Sequence, residues 1–254
     1  MRDQPLLELR QVWRAFGGLT AVKAVDLTVR RGEIVGLIGP NGAGKTTLFN
    51  LATGTYPPSR GTVVFDGQDV TRLTPEARCR LGIARTFQIV RPFLGLNVVD
   101  NVAIGSIYGH APAPSRHAAA TAAMVALETV GLADRAGRVA RSLTLVDRKR
   151  LELARALAGS PRLLLLDEWL AGLNQSEVLA ALELVRHIRD AGVTVVLVEH
   201  LVKALFGLSD RVVVLSAGEK IADGTPEQVA HDPRVIDAYL GAAHLEATEV
   251  LALA

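Results

Sequence analysis

The stretch Gly39-Pro40-Asn41-Gly42-Ala43-Gly44-Lys45-Thr46-Thr47 constrains this chain more than any other. It has the G-x-x-x-x-G-K-[ST] form of a phosphate-binding loop. An apolar run, Ile34-Val35-Gly36-Leu37-Ile38, leads into it, and a helix-compatible segment over residues 45–52 leads out and stops at Gly54. Strand, glycine-rich turn and helix in that order make an anion cradle. Glycines let backbone N–H groups turn inward, and the helix adds the positive end of its dipole. Lys45 can then reach the outer phosphates, and the Thr46 hydroxyl can ligate magnesium. The plain alternative is a glycine-rich turn with an incidental lysine. The full pattern between a strand and a helix argues for a bound nucleoside triphosphate.

At 254 residues the chain is long enough for one large domain, or for a core with an inserted subdomain. A net charge of +2 gives no hint of a nucleic-acid partner. The single cysteine, Cys79, excludes an internal disulfide and a cysteine-built metal site, and suits a reducing compartment. Residues 1–5 have no signal-peptide apolar core, and no apolar stretch approaches the roughly 18 residues of a membrane span. The high aliphatic content fits a docking surface or simply a large core.

Along the chain, residues 6–12 and 25–29 alternate as strands, separated by a turn at Ala15-Phe16-Gly17-Gly18 that carries an exposed aromatic. Residues 62–65 form a further strand, and Thr74-Pro75-Glu76 opens a short helix to Leu81. Between about residues 92 and 158 the pattern turns to helices and loops, with an alanine-rich helix over 118–130 and another over 147–158. Strand composition returns at 163–166 and 193–199. The helix between them has Asn174 and Glu177 at capping-box spacing, and a hairpin follows at 211–222. Strands alternating with helices on both sides of a helical insert imply a mainly parallel α/β core with an α-subdomain.

Leu163-Leu164-Leu165-Leu166-Asp167-Glu168 is an all-apolar run ending in two carboxylates. A central strand of this kind delivers Asp167 to the ligand edge of an open sheet, as the acidic partner for magnesium. Glu168 follows, where it could polarise an attacking water. Two solvated acids at a strand end are the competing reading of that hexamer alone. His200 ends residues 193–199 in the same way; it is either structural or a donor to the outermost phosphate. Gln88 is uninformative by itself.

With these residues in view, the chain resembles the ATPase subunits of ABC transporters. Residues 39–47 are similar to their Walker A motif and 163–168 to their Walker B motif. Gln88 matches the Q-loop, Ala171-Gly172-Leu173-Asn174 the D-loop and His200 the switch histidine, all in family order over residues 6–241. Phe16 falls where the family stacks an aromatic on adenine. Ala84-Arg85-Thr86-Phe87-Gln88 with Arg91-Pro92-Phe93, residues 151–157 and the closing residues 224–241 look like the branched-chain (hydrophobic) amino-acid importers.

The resemblance implies an α/β P-loop NTPase fold with a mainly parallel core sheet, an N-terminal antiparallel β-subdomain and an inserted α-helical subdomain. Residues 6–241 would form a single ATPase domain, with its core at 6–91 and 159–241, its helical subdomain at 92–158 and a C-terminal extension at 242–254. Lys45, Glu168 and His200 would be catalytic. Phe16, Gly39, Pro40, Asn41, Gly42, Ala43, Gly44, Lys45, Thr46, Thr47 and Gln88 would bind nucleotide, and Thr46, Gln88 and Asp167 the metal. Implied partners are a second ATPase subunit, as a heterodimer with a homodimer as the alternative, two membrane permeases and, indirectly, a periplasmic binding protein. The place of work would be the cytoplasmic face of the inner membrane. Branched-chain or related solutes are expected, with urea, an amide or an aromatic acid as alternatives.

Two departures stand out. The family signature Leu-Ser-Gly-Gly-Gln is here Leu143-Thr144-Leu145-Val146-Asp147. In the family that segment closes over the partner's nucleotide; here Leu145 and Val146 add bulk and Asp147 adds a carboxylate. Thr144 and Asp147 also have capping-box spacing, so the helix is expected to satisfy its own N-terminus. Trp169 stands where the family usually has proline, which would loosen the turn. The basic run Arg148-Lys149-Arg150 reads as a solvated helix face. Three rival functions remain on the sequence: a soluble ABC ATPase acting on DNA or ribosomes, a P-loop kinase, and a non-hydrolysing nucleotide-dependent regulator.

Overall fold

A computed structural model describes residues 5–87 and 90–240. Two long strands, β1 (Pro5–Phe16) and β2 (Leu19–Arg30), open the chain. Then come β3 (Ile34–Ile38), α1 (Lys45–Thr53), β4 (Arg60–Phe65), β5 (Gln68–Asp69), α2 (Pro75–Leu81) and β6 (Ile83–Arg85). Three helices follow, α3 (Val98–Tyr108), α4 (Arg116–Thr129) and α5 (Leu145–Ala158). The chain closes with β7 (Leu163–Asp167), α6 (Gln175–Asp190), β8 (Thr194–Val198), α7 (Val202–Leu208), β9 (Arg211–Ser216), β10 (Glu219–Gly224), α8 (Pro226–Ala230) and α9 (Pro233–Leu240).

The strands form an antiparallel sheet, β2-β1-β4-β5, and a mixed sheet, β10-β9-β3-β8-β7-β6. In the second, only β10 runs against its neighbour. Every residue of β3, β7 and β8 is buried, as expected for strands covered on both faces. Alternation along each strand sends its side chains to two cores. Val35, Leu37, Leu163, Leu165 and Val198 pack with α1 and the antiparallel sheet, whereas Ile34, Ile38, Leu164, Leu166 and Leu197 pack with the helices. That second core is continuous with Val102 of α3, Leu127 of α4 and Leu151 of α5.

Local signals set many boundaries. Thr74 caps α2 with proline at its first position, Asn174 and Glu177 complete a capping box on α6, and Thr225 and Gln228 do so on α8. Strands β1 and β2 run further than the alternation over residues 6–12 and 25–29 suggests. Gln11 and Ala24 have φ of 48° and 45°, and the pairing shifts register there, so the two-residue period breaks while the strand continues. Strand β6, three residues long, offers no period to read in the sequence.

Helix α1 is held at its far end by Arg78. This buried guanidinium has no carboxylate in contact among the described residues and donates instead to the carbonyls of Leu51 (2.6 Å), Ala52 (2.8 Å) and Thr71 (3.1 Å). Terminal carbonyls and the negative end of the helix dipole offset the cost of burying the charge. Burial still pulls the Arg78 pKa down to about 10.

Candidate nucleotide site

The parallel sheet brings three chain ends to one edge. Strand β8 lies between β3 and β7, and Leu37, Val198 and Asp167 stand in one transverse row. The phosphate loop therefore leaves beside Glu199 and His200, which leave beside Glu168. Ligand sites in open α/β sheets form at such carboxyl ends.

Within the loop, Gly39 and Gly44 have φ of 149° and 102°. A Cβ on Gly39 would lie 2.1 Å from the carbonyl oxygen of Leu215, and one on Gly44 would lie 2.4 Å from that of Ala21, so no side chain fits at either point. Gly44 also stands at the N-cap of α1 without a side-chain cap, leaving the helix N–H groups for an anion. The Lys45 ammonium folds back onto the loop, donating to the carbonyls of Gly39 and Pro40. Residues 41–47 line an open pocket of about 190 Å³ together with Ala21 and Glu168. Thr46 is exposed in it.

Asp167 is buried at the end of β7. Its Oδ2 accepts from Arg85 Nη2 at 2.5 Å, while its Oδ1 is buried with no hydrogen-bond partner among the described residues. Burial raises its pKa, and the Arg85 bond and charge oppose that. A bare, buried carboxylate oxygen is what a hard cation would satisfy, so these residues fit magnesium. Among the described residues no group of three His, Cys, Asp or Glu side chains could hold a metal alone. An ion here would take its other ligands from Thr46 and the nucleotide.

Glu168 turns the chain sharply, with φ of 49°, and its N–H donates to the Val198 carbonyl at 2.9 Å. His200 Nε2 lies 2.9 Å from Glu168 Oε1. A carboxylate in the phosphate pocket with an imidazole bound to it can orient a water and take its proton. Phe16 is exposed at the end of β1, where the chain turns into β2 of the antiparallel sheet. Its ring meets Tyr56 edge to face at 5.2 Å, and the Arg14 guanidinium lies 4.7 Å from its centroid. Gln88 lies outside the described residues.

The segment 143–147 is closed on itself. Thr144 Oγ1 accepts from the Asp147 N–H at 3.2 Å and donates to Asp147 Oδ2 at 2.7 Å. Asp147 is buried and also takes a bond from Arg135 Nη1. The Thr144 cap forms as its spacing predicts, but the reciprocal half of the box is corrected: the Asp147 carboxylate accepts from the Thr144 hydroxyl and from Arg135 in place of the Thr144 N–H. Leu145 is exposed and Val146 half-buried at the start of α5.

A second correction concerns the basic run. Lys149 is buried and donates to the carbonyls of Trp169, at 3.0 Å, and of Ala171. The turn after Glu168 is not loosened by the absence of proline. Trp169 is itself buried, with its indole N–H 3.3 Å from the Lys149 carbonyl, and Glu199 accepts from the Leu170 N–H at 2.7 Å. Sequence reasoning missed Arg85, Lys149 and Glu199. Only the apolar context of β8 running into Glu199 carries any signal for them.

A family profile described as ABC transporter matches residues 22–171, and one described as branched-chain amino acid ATP-binding cassette transporter matches residues 219–245. The chain is 42% identical to LivG of Escherichia coli K12, a high-affinity branched-chain amino acid transport ATP-binding protein, over 95% of this chain and 100% of that one. It is 40% identical, with the same coverage, to BraF of Pseudomonas aeruginosa, a protein of the same description. LptB of E. coli K12, a lipopolysaccharide export system ATP-binding protein, is 37% identical over 92% of this chain and 97% of that one. Among solved structures, the ADP conformation of the ATP-binding cassette MJ1267 superposes with a TM-score of 0.84 at 28% identity, covering 94% of this chain and all of that one.

Proposed function

The chain belongs to the ABC transporter family as an ATP-hydrolysing, ATP-binding subunit, and from that premise we propose that it drives uptake of branched-chain or related hydrophobic amino acids. The observation that carries the hydrolytic part is the Glu168–His200 pair, 2.9 Å apart, with Glu168 lining the pocket of the phosphate loop. ATP would place its phosphates over the N–H groups at the start of α1, and Lys45 would exchange its contacts with Gly39 and Pro40 for phosphate oxygens. Thr46 and Asp167 would hold magnesium, whose chemistry is to neutralise charge on the phosphates. Glu168 takes a proton from the attacking water while His200 fixes the carboxylate. Phe16, with Arg14 and Tyr56 behind it, offers an apolar face for the base.

The solute reading is supported by LivG and BraF together with the profile matched at residues 219–245, which favour amino acids over the lipopolysaccharide named for LptB. Such a subunit would sit on two permeases at the cytoplasmic face and be fed by a secreted binding protein. Among the described residues no helix is long and apolar enough to cross a membrane, so the membrane path would belong to the permeases. The test is reconstitution with two permeases and a binding protein of the branched-chain amino-acid importer type. Leucine-loaded binding protein should stimulate ATP hydrolysis, and stimulation by urea or an amide in its place would redirect the solute assignment.

The second subunit is expected to be a different chain. Leu145, Val146 and the Asp147–Arg135 pair obstruct the start of α5, so a site needing that helix end would be weak, while the site using this chain's own loop would turn over. Glu168→Gln in the assembled heterodimer should then remove most hydrolysis and trap one nucleotide. Near-wild-type turnover would refute this unequal arrangement.

A further inference from the structure

Lys149 is a buried cation to which the proposed mechanism gives no role. Lys149 projects from the second turn of α5 into the turn after Glu168, where its ammonium holds the carbonyls of Trp169 and Ala171. The bond is returned, since the Trp169 indole donates to the Lys149 carbonyl. Between those two carbonyls, the Leu170 N–H is taken by Glu199. One backbone group on each of three successive residues is thus gripped by side chains from two other elements, one on α5 and one at the end of β8.

The grip matters because of what precedes it. Glu168 is in a left-handed conformation that a non-glycine residue keeps only when its surroundings impose it. Upstream it is anchored by β7 and by its N–H bond to Val198. Downstream its orientation depends on residues 169–171, and so on Lys149 and Glu199. Glu199 is joined in sequence to His200, which contacts the same carboxylate. Lys149 belongs to the helix whose first turn carries the segment 143–147.

An ammonium is an expensive way to fill a buried space; an aliphatic side chain would fill it at lower cost. What the lysine adds is direction, two carbonyls fixed to one point. Beside the clasp lies an open cavity of about 280 Å³ between the end of α4, α5 and α6, with Trp169 and Lys149 in its wall. Along the wall of that cavity the clasp ties α5 to the turn after Glu168.

We propose that Lys149 is a positioning residue for Glu168, and that through the Lys149–Trp169 clasp the placement of α5 sets how the catalytic carboxylate faces the phosphate loop. The inference rests on the reading of Glu168 as the residue that activates water.

The test is steady-state ATP hydrolysis by the full-length chain in its assembled complex, comparing wild type, Lys149→Met and, as a neighbour outside the clasp, Arg150→Ala. Misplacement of a catalytic group by about 1 Å costs on the order of 100-fold, so Lys149→Met should lower kcat about 10- to 100-fold. The KM for ATP and binding of a fluorescent ATP analogue should stay within about twofold, because the loop is untouched. Trp169→Phe, which removes only the returning bond, should lower kcat by less. Lys149→Cys in a Cys79→Ser background, alkylated with 2-bromoethylamine, rebuilds the ammonium and should recover most of kcat. That pair and Trp169→Phe carry the comparison if Lys149→Met does not fold. Unchanged kcat in Lys149→Met, loss of nucleotide affinity in step with kcat, or equal activity of the Lys149→Cys protein before and after alkylation would overturn the inference. If Glu168→Gln retains wild-type turnover, the reading of Glu168 fails instead, and the clasp has no catalytic carboxylate to position.

Discussion

His200 and Glu168 are 32 residues apart in sequence, yet the imidazole Nε2 lies 2.9 Å from the carboxylate Oε1. Adjacent parallel strands bring them together, with Asp167 paired to Val198 one residue short of each turn. The carboxylate is thereby held by its backbone on one side and by the histidine on the other.

Glu168→Gln keeps the shape of the side chain and removes its capacity to take a proton. Hydrolysis should fall by about 100-fold or more, with ATP binding retained. His200→Ala should lower kcat less, because the carboxylate stays in the pocket and loses only its orienting partner. Single-turnover hydrolysis alongside equilibrium nucleotide binding separates the two effects.

Arg85 compensates Asp167 in a place where both side chains are buried. Arg85→Met leaves that carboxylate alone, and breaking such a pair costs about 3 kcal/mol of unfolding free energy. Denaturant titration should show the loss. Saturating Mg-ATP should restore part of it, since a cation on Asp167 would take over the compensation.

Arg78→Met tests the far end of the phosphate-loop helix. Three carbonyls lose a charged donor, and the expected destabilisation is about 2 to 3 kcal/mol. Weaker nucleotide binding should accompany it, because in the proposed site α1 would supply the N–H groups facing the phosphates.

Glu152 and Glu199 provide a pH signature. Burial is the main cause that pushes each carboxyl up to about 7 from a usual value of 4.5. Between those values the folded protein holds protons that the unfolded chain has released, so stability decreases as pH rises and levels off above about 7. Asp66, Asp223 and Asp232 are shifted downward, and their contribution is lost only as pH falls through their lowered pKa values. Melting temperature should therefore be higher near pH 5 than near pH 8. Glu152→Gln should remove part of that slope, and a flat profile in the wild type would contradict the assignment.

What could be read from sequence was what short spacing encodes. The phosphate loop, the apolar run ending in Asp167 and the capped starts of α2, α6 and α8 each depend on residues within a few positions of one another. Arg85, Lys149 and Glu199 depend on partners 82, 20 and 29 residues away, and nothing in their own neighbourhoods announces those contacts. Lys149 misled for a physical reason: three basic residues in a row on a helix span nearly a full turn, so one of them faces inward. Asp147 misled because burial with Arg135 turns an apparent surface repulsion into an internal pair.

The row formed by Leu37, Val198 and Asp167 has a consequence for how this protein tolerates change. In a ladder with a two-residue period, adding or deleting one residue in β3, β7 or β8 would swing a loop, a histidine or an acid to the opposite face. The catalytic edge has no intermediate settings. Changes of length should be tolerated in the connections between the helices, such as the one joining α3 to α4, and any gradual adjustment of the reaction has to enter through the turns that leave the row.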